Sequence, residues 1–354
     1  MRASKKWVIA FLISLLIVLM LTGGFIAVID PYFHYHKPLA WAGYYLDNER
    51  YQNNGIVKNF DYDAIITGSS MTECFRPSEL DELFGVNAIK VPYSGGSYKE
   101  VNDNLAVAVR YNPDIKMIVR CLDCNRFFNS KDDLDYSDYP TYLYDDFLLN
   151  DVGYLFNVNV LFDALQSAAG YSSSGRRTLS FDDYCNWSNS YVYGKEEVDK
   201  HYNRDSIIRA EEMLPITEEE YVRIRENIEQ NVTRLADENP DIEFYIYFSP
   251  YSIYYMDYWY QLGELQRQLE AEKYIIELIL PHENIHLYSF YTEYDTICDL
   301  NNYKDVAHHS GELNSQILRW IWEGKHELTD DNYEDYCRAV WDFYMNYDYD
   351  SLFE

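Results

Sequence analysis

The feature that most constrains the fold is a repeated alternation of short apolar runs with longer segments of helical periodicity. Each run is rich in Ile, Val and Tyr and ends in Gly, Pro or polar residues. Such runs are typical of strands buried on both faces of a sheet. The alternation therefore predicts an α/β fold, a three-layer α/β/α sandwich with a central parallel sheet. The predicted strands are Ala64–Thr67, Ala88–Pro92, Met117–Cys121, Phe244–Phe248 and Ile285–Tyr288.

The segments between these strands carry helix start and stop signals. Tyr98–Tyr111 ends before Asn112-Pro113, because a residue that precedes proline disfavours helical backbone. Thr217 and Glu220 form a capping box, which predicts a helix that continues to Asp237. The other predicted helices are Arg76–Phe84, one near Tyr142–Leu149, one near Leu155–Ala168, Asp257–Leu280, Ser310–Trp322 and a last one capped by Thr329.

An apolar stretch without charge, Trp7 to Ile29, stands near the N-terminus. As a helix it is roughly 34 Å long, more than the hydrocarbon core of a bilayer, about 30 Å. Basic residues precede it, so the positive-inside rule predicts a single-pass anchor in the cell membrane. Residues 1–6 are then cytoplasmic, residues 7–29 span the membrane and the main domain is extracytoplasmic. A cleaved signal peptide is the alternative, but we find no good small-x-small cleavage site near Thr22 to Val28.

The chain after the anchor divides into three predicted parts. Residues 30–60 are an aromatic-rich connector near the outer lipid interface. Residues 61–326 form the main domain, in which 125–215 is an insertion with a flexible point at Ser172–Gly175, and 327–354 form a C-terminal helix. The formal net charge of -30 argues against a nucleic-acid partner, because such a surface repels polyanions.

Three short motifs lie where predicted strands end. Gly68-Ser69-Ser70 follows the first strand, Ser94-Gly95-Gly96-Ser97 follows the second, and Asp305-Val306-Ala307-His308 follows the last. Active sites of α/β proteins lie at the carboxyl ends of parallel strands. A serine hydroxyl needs a base, and a histidine whose other ring nitrogen is held by an aspartate suits that role at neutral pH. His309 is the alternative base, but the spacing from Asp305 favours His308.

The order of these motifs resembles the SGNH (GDSL-like) hydrolase superfamily, over about residues 60 to 320 with the insertion unmatched. The resemblance implies a flavodoxin-like sheet and a triad of Ser70, His308 and Asp305. It also implies an oxyanion hole from Ser70, Gly95 and the residue at the position of Asp123. Ser69 stands where the family usually has Asp.

The third block departs from the family pattern, since Asp123 stands where an Asn is usual. An ionised carboxylate accepts hydrogen bonds but cannot donate one to an oxyanion. Three alternatives remain open: Asp123 is protonated, or it orders its loop, or Asn125 replaces the missing donor.

The outward-facing anchor together with Gly68-Ser69-Ser70 is similar to an envelope subgroup of this superfamily, which includes the teichoic acid D-alanyl transfer protein and SGNH-like proteins of exopolysaccharide O-acetylation. The resemblance implies an esterase or O-acyltransferase for acyl esters of envelope glycopolymers, beside a multi-spanning acyltransferase partner. Candidate substrate contacts are Ser69, Asn125, Trp187 and His309.

No cofactor is expected. Metal use is weakly signalled, because the histidines are scattered and Cys121 and Cys124 form a lone C-x-x-C pair. A degenerate domain that serves as a surface binding or assembly subunit is the alternative function.

Overall fold

A six-stranded mixed sheet forms the centre of the molecule, in a computed structural model that describes residues 2–134, 139–145, 147–170 and 179–353. The strand order is β2-β1-β3-β4-β5-β6, in which the first five strands are parallel and β6 is antiparallel to β5. The strands are β1 (Ala64–Gly68), β2 (Ala88–Pro92), β3 (Met117–Leu122), β4 (Glu243–Phe248), β5 (Ile285–Ser289) and β6 (Glu327–Leu328).

Helices flank this sheet, as the α/β prediction requires. Most follow the predicted segments closely, including the capping box of Thr217 with Glu220. The helices are α1 (Arg2–Ile29), α2 (Glu49–Asn59), α3 (Pro77–Phe84), α4 (Tyr98–Tyr111), α5 (Val152–Leu155), α6 (Val158–Ala169), α7 (Lys195–His201), α8 (Glu218–Ile228), α9 (Arg234–Glu238), α10 (Ile253–Gln261), α11 (Leu265–Ile279), α12 (Tyr294–Cys298), α13 (Gly311–Trp322) and α14 (Tyr333–Met345).

The strands of the central sheet are buried, which explains why apolar runs in the sequence predicted their positions. Every residue of β1, β2 and β3 is buried, and Ile65 pairs in register with Ile89 on one side and Ile118 on the other. A strand buried on both faces needs a continuous apolar run. The predicted fold class is confirmed, and the sequence missed only the two-residue edge strand β6, which has no such run.

Two predicted helices are interrupted. The segment Asp257–Leu280 is two helices, because Gly263 between them has a φ of +72° that ends α10. The segment that starts at Thr217 contains a π-helical turn, Glu229–Thr233, between α8 and α9. The last helix starts after Asn332 rather than at Thr329.

The insertion contains α5, α6 and α7, and no long helix covers Tyr142–Leu149, where the described residues form only a 3-10 turn at Thr141–Leu143. The expected flexible point Ser172–Gly175 lies outside the described residues. Within the segment predicted as a connector, α2 is largely buried and packs against α4 and β2. Within α1, Lys5–Ile29 is long and apolar enough to cross a membrane.

Candidate active site

Ser70 stands in a tight turn at the carboxyl end of β1. The turn requires glycine at position 68, where φ is +150° and a Cβ atom would lie 2.7 Å from Thr72 Cγ2 and 2.8 Å from Cys121 Cβ. Ser70 then begins a short 3-10 helix, and the buried Ser69 caps it by accepting a hydrogen bond from Met71 N at 3.3 Å. The turn therefore directs Ser70 away from the sheet, and Ser69 has a structural contact of its own.

The hydroxyl of Ser70 lies 2.9 Å from Nε2 of His308. The other ring nitrogen of His308, Nδ1, lies 2.8 Å from Oδ2 and 3.0 Å from Oδ1 of Asp305. Asp305 Oδ1 also accepts the backbone N–H groups of Ala307 at 2.9 Å and His308 at 2.8 Å. Segments more than two hundred residues apart in the chain thus meet in one continuous hydrogen-bonded relay.

The Asp305 carboxylate is held ionised by these contacts. Partial burial raises its pKa, but the hydrogen bond and charge of the His308 ring and the two backbone N–H groups outweigh burial and lower the pKa to about 2. An ionised Asp305 fixes the His308 tautomer with the proton on Nδ1, so that Nε2 is free to accept the proton of Ser70. The arrangement can activate the serine hydroxyl as a nucleophile.

Gly95, the predicted oxyanion-hole glycine, follows β2 with a φ of +61°. Its carbonyl accepts a hydrogen bond from Arg126 at 2.8 Å, which fixes the loop. Within the described residues, neither Ser70 nor Gly95 donates its backbone N–H in a hydrogen bond to the protein. Two backbone donors after neighbouring strands are thus available for a developing oxyanion.

The Asp123 carboxylate is turned into the protein. Its Oδ1 accepts a hydrogen bond from the Tyr251 hydroxyl at 2.7 Å, and Tyr98 donates to the Asp123 carbonyl at 2.9 Å. Asp123 is buried and begins the 3-10 turn in which Asn125 is exposed. Of the alternatives left open by the sequence, these contacts favour a role for Asp123 in ordering its loop.

His309 lies apart from the relay although it is adjacent to His308 in sequence. It is 2% exposed, its Nε2 lies 3.1 Å from Ser249 Oγ and its Nδ1 lies 3.3 Å from the Ser310 carbonyl. Burial lowers its pKa to about 4, so the ring is neutral at physiological pH. The structure thus brings His308, and not its neighbour, to Ser70, and gives His309 partners inside the protein.

Trp187 from the insertion packs against the relay. The edge of its ring meets His308, with ring centroids 5.8 Å apart at 87°. Its indole Nε1 donates to the Glu73 carboxylate, and the Lys304 ammonium lies 3.9 Å from the Trp187 and Tyr191 ring centroids. The insertion therefore closes one side of the site, beside the base.

An acidic cleft of about 580 Å³ opens beside Trp187. Two of its carboxyl groups, Glu49 and Glu73, belong to buried side chains. Burial and the neighbouring Glu73 charge raise the pKa of Glu49 well above its usual value. The cleft is lined by Asp47, Asn48, Glu49, Arg50, Tyr51, Glu73, Ser94, Cys185 and Trp187.

Sequence reasoning missed Glu49, Glu73 and Lys304. Glu73 lies three residues after Ser70, and that proximity was the one available signal. Lys90 was missed too: it is fully buried on β2 and donates to the carbonyls of Glu73 and Phe75, which holds the segment after the Ser70 turn. Burial lowers the Lys90 pKa to about 8.

No protein-family model matches the chain, and no curated protein matches it. A solved structure described as "a putative platelet activating factor from Streptococcus pneumonia" is similar over 77% of this chain and 90% of that chain, at 12% identity and a TM-score of 0.38. A likeness at that level carries no argument about function. The functional inference therefore depends on the geometry of the site.

Proposed function

We propose that the protein is a serine esterase or O-acyltransferase of the SGNH type. The observation that carries the proposal is the relay from Ser70 through His308 to Asp305, with hydrogen-bond distances of 2.9 Å and 2.8 Å. A hydroxyl, a base and an oriented carboxylate at these distances are the groups that acyl transfer through a serine requires.

The reaction proceeds in two steps. Ser70 Oγ attacks the ester carbonyl while His308 Nε2 takes its proton, and the N–H groups of Ser70 and Gly95 hold the oxyanion. His308 returns the proton to the leaving alcohol, which leaves an acyl group on Ser70. Water or a sugar hydroxyl then gives a proton to His308 and attacks the acyl carbonyl. The bond from that carbon to Ser70 Oγ breaks, His308 returns the proton to Oγ, and the acid or the new ester leaves. Hydrolysis and transfer differ only in that acceptor.

The substrate in this proposal is an acyl ester of a cell-envelope glycopolymer. Two observations support it. The Trp187 ring packs against both His308 and Tyr191, and the carboxyl groups of the acidic cleft can accept hydrogen bonds from sugar hydroxyls. The proposal also includes the anchor Lys5–Ile29 in the cell membrane, a cytoplasmic N-terminus and a multi-spanning acyltransferase partner.

A second function, a surface binding or assembly subunit, is favoured by one observation. The Asp123 side chain accepts from Tyr251 and offers no donor at the third oxyanion position, so the oxyanion hole has two donors rather than three. The loss of one such donor costs about 100- to 1,000-fold in rate. A slow enzyme and a binding subunit are thus the two outcomes to be distinguished.

Labelling with a fluorophosphonate probe tests the enzyme directly. We expect the full-length protein to be labelled, and labelling to be lost in Ser70→Ala and in His308→Ala. His201→Ala is the matched control, since His201 is an exposed histidine paired with Glu197 and should leave labelling unchanged. If the parent chain is not labelled, or if Ser70→Ala is labelled equally, the esterase proposal fails and the binding subunit is favoured.

A further inference from the structure

Helix α6 is apolar on two opposite faces. Val160 and Ala164 are buried, and the helix packs against α1. The other face carries Val158, Phe162 and Leu165 at helical spacing, with exposed fractions of 74%, 61% and 52%. A helix at a water-facing surface has polar residues on its outer face. The outer face of α6 therefore needs an apolar neighbour.

The exposed apolar surface continues from α6 into the segment before it. Phe147, Leu148 and Leu149 are consecutive, exposed residues, and Val152 and Phe156 on and after α5 are exposed as well. Monomeric soluble proteins rarely show so many large apolar side chains together, and such surfaces mark an interaction with protein or membrane. We call these eight residues the apolar face: Phe147, Leu148, Leu149, Val152, Phe156, Val158, Phe162 and Leu165.

The apolar face adjoins the anchor helix directly. A Cβ atom at Gly23 of α1 would lie 3.4 Å from the Phe156 ring, and Ile26 and Ile29 in the last turns of α1 are buried. Val28, on another side of α1, is 60% exposed, so α5 and α6 cover only one side of these last turns. A hydrocarbon core of about 30 Å takes about 20 helical residues, so a span that begins at Trp7 extends into the turns that α5 and α6 cover.

The junction between anchor and domain is rigid. Asp30, directly after α1, is fully buried, and its carboxylate accepts the backbone N–H groups of His34, Tyr35 and His36 at 2.7 to 3.0 Å. The Tyr154 hydroxyl of α5 also donates to Asp30, at 2.7 Å. Helix α1 and the α5–α6 pair are thus one packed unit, so an anchor in the membrane fixes the apolar face beside it.

We propose that the apolar face is inserted into the outer leaflet of the lipid bilayer, beside the last turns of α1. The proposal rests on the membrane anchoring proposed above. Continuity with the lipid-exposed surface of α1 selects lipid as the occupant.

Insertion also holds the acidic cleft at the membrane surface. Tyr51 lines the cleft, and its ring packs against Tyr32 with centroids 5.4 Å apart. Tyr32 lies two residues past Asp30, so one aromatic layer separates the cleft from the anchor junction. The cleft is therefore accessible to substrates attached to, or held against, the outer leaflet.

Tryptophan quenching in lipid nanodiscs tests the insertion on the full-length chain. Phe162→Trp and Leu165→Trp are made in a parent that carries Trp7→Phe and Trp41→Phe, and the added emission is compared in discs with and without brominated phospholipid. A face buried roughly 5–10 Å into the headgroup and acyl boundary should lose about half of that emission to the bromines, and resist aqueous iodide. Ile208→Trp, at a 91% exposed loop position, is the control and should respond to iodide alone.

Two results would overturn the insertion. Quenching of the added tryptophans by iodide but not by brominated lipid would place the face in water. Protection from both quenchers would show that protein covers it, as in a dimer. Fluorophosphonate labelling of the same samples tests the proposed function separately. A chain that is not labelled can still show quenching by brominated lipid, and a chain that is labelled can fail to show it.

Discussion

Asp305→Asn provides a sharp test of the relay. The carboxylate accepts the His308 Nδ1 proton and two backbone N–H groups. In the variant, an amide oxygen can keep the backbone contacts, but an amide NH₂ toward the ring turns Nδ1 into the acceptor and moves the ring proton to Nε2. Nε2 then faces the Ser70 hydroxyl as a donor and cannot take its proton. The Asp305 loop should therefore keep its backbone contacts, while proton transfer from Ser70 to His308 is lost.

The magnitude follows from the Asp305 pKa. Its shift from 3.8 to about 2 corresponds to about 2 kcal/mol of preference of the site for the charged carboxylate. Loss of that free energy from the imidazolium formed in the transition state slows the reaction about 30-fold. Inversion of the tautomer adds to this, and in a serine protease the same change lowers kcat about 10,000-fold. We expect a loss between these limits.

The assay is the second-order rate of fluorophosphonate labelling at pH 7. Asp299→Asn is the matched control, because Asp299 is an exposed carboxylate that accepts from the Asn301 backbone in the neighbouring 3-10 turn. We expect this control to label at the parent rate. If Asp305→Asn labels within about three-fold of Asp299→Asn, less than the electrostatic loss alone, then the carboxylate does not orient the base and the reasoning is refuted.

Three further predictions concern stability. Gly68→Ala should lower the free energy of unfolding by about 2–4 kcal/mol and reduce Ser70 labelling, because the added Cβ would overlap Thr72 and φ is +150°. Gly324→Ala is its control, since Gly324 has a φ of +66° and open space around it. This variant should lower the free energy of unfolding by about 1 kcal/mol without changing labelling. Lys90→Met should cost about 2–4 kcal/mol in urea denaturation, because two buried carbonyls lose their donor; an unchanged midpoint would contradict this. Burial raises the pKa of Glu272 to about 7 from 4.5, so its contribution is present below pH 4.5 and is lost as pH rises through 7. Glu272→Gln should therefore gain up to about 3 kcal/mol relative to the parent at pH 8 compared with pH 4, and an equal difference at both pH values would refute the shift.

The strands were predictable because the physical cause of each strand lies within the strand itself. Ala88–Pro92 has the predicted ends, since a strand buried on both faces is an apolar run that stops where polar or turn residues begin. By contrast, Glu327–Leu328 forms an edge strand through its pairing with Tyr288 and Leu287, and pairing leaves no signature in two residues. The sequence shows a glycine at position 263, but it does not show that this glycine has a positive φ and ends a helix.

The candidate site divides in the same way. The turn after β1 and the Asp305–His308 spacing are local, and the structure brings Ser70, His308 and Asp305 within hydrogen-bonding distance of one another in that order. The presence of Glu49 and Glu73 in one cleft depends on how α2 packs against α4 and β2, which no local pattern encodes. The orientation of Asp123 likewise depends on Tyr251, a residue from the loop after β4. The position of Asp123 directly after β3 places it at this edge of the sheet, and tertiary packing turns its carboxylate inward.

The charge of the molecule bears on which esters can reach the relay. The chain carries a formal net charge of -30, and the cleft beside Trp187 contains Asp47, Glu49 and Glu73 with Arg50 as its cation. Such a field disfavours anionic substrates and is screened by salt, with a Debye length that falls from about 30 Å at 0.01 M to about 8 Å at 0.15 M. The rate with an anionic aryl ester should therefore rise several-fold over this range, while the rate with a neutral aryl acetate stays constant. Ester hydrolysis followed at both salt concentrations measures this, with Ser70→Ala as the blank. A rate for the anionic ester that falls with salt would mean that the cleft presents positive charge to its substrate, contrary to the arrangement of its carboxyl groups.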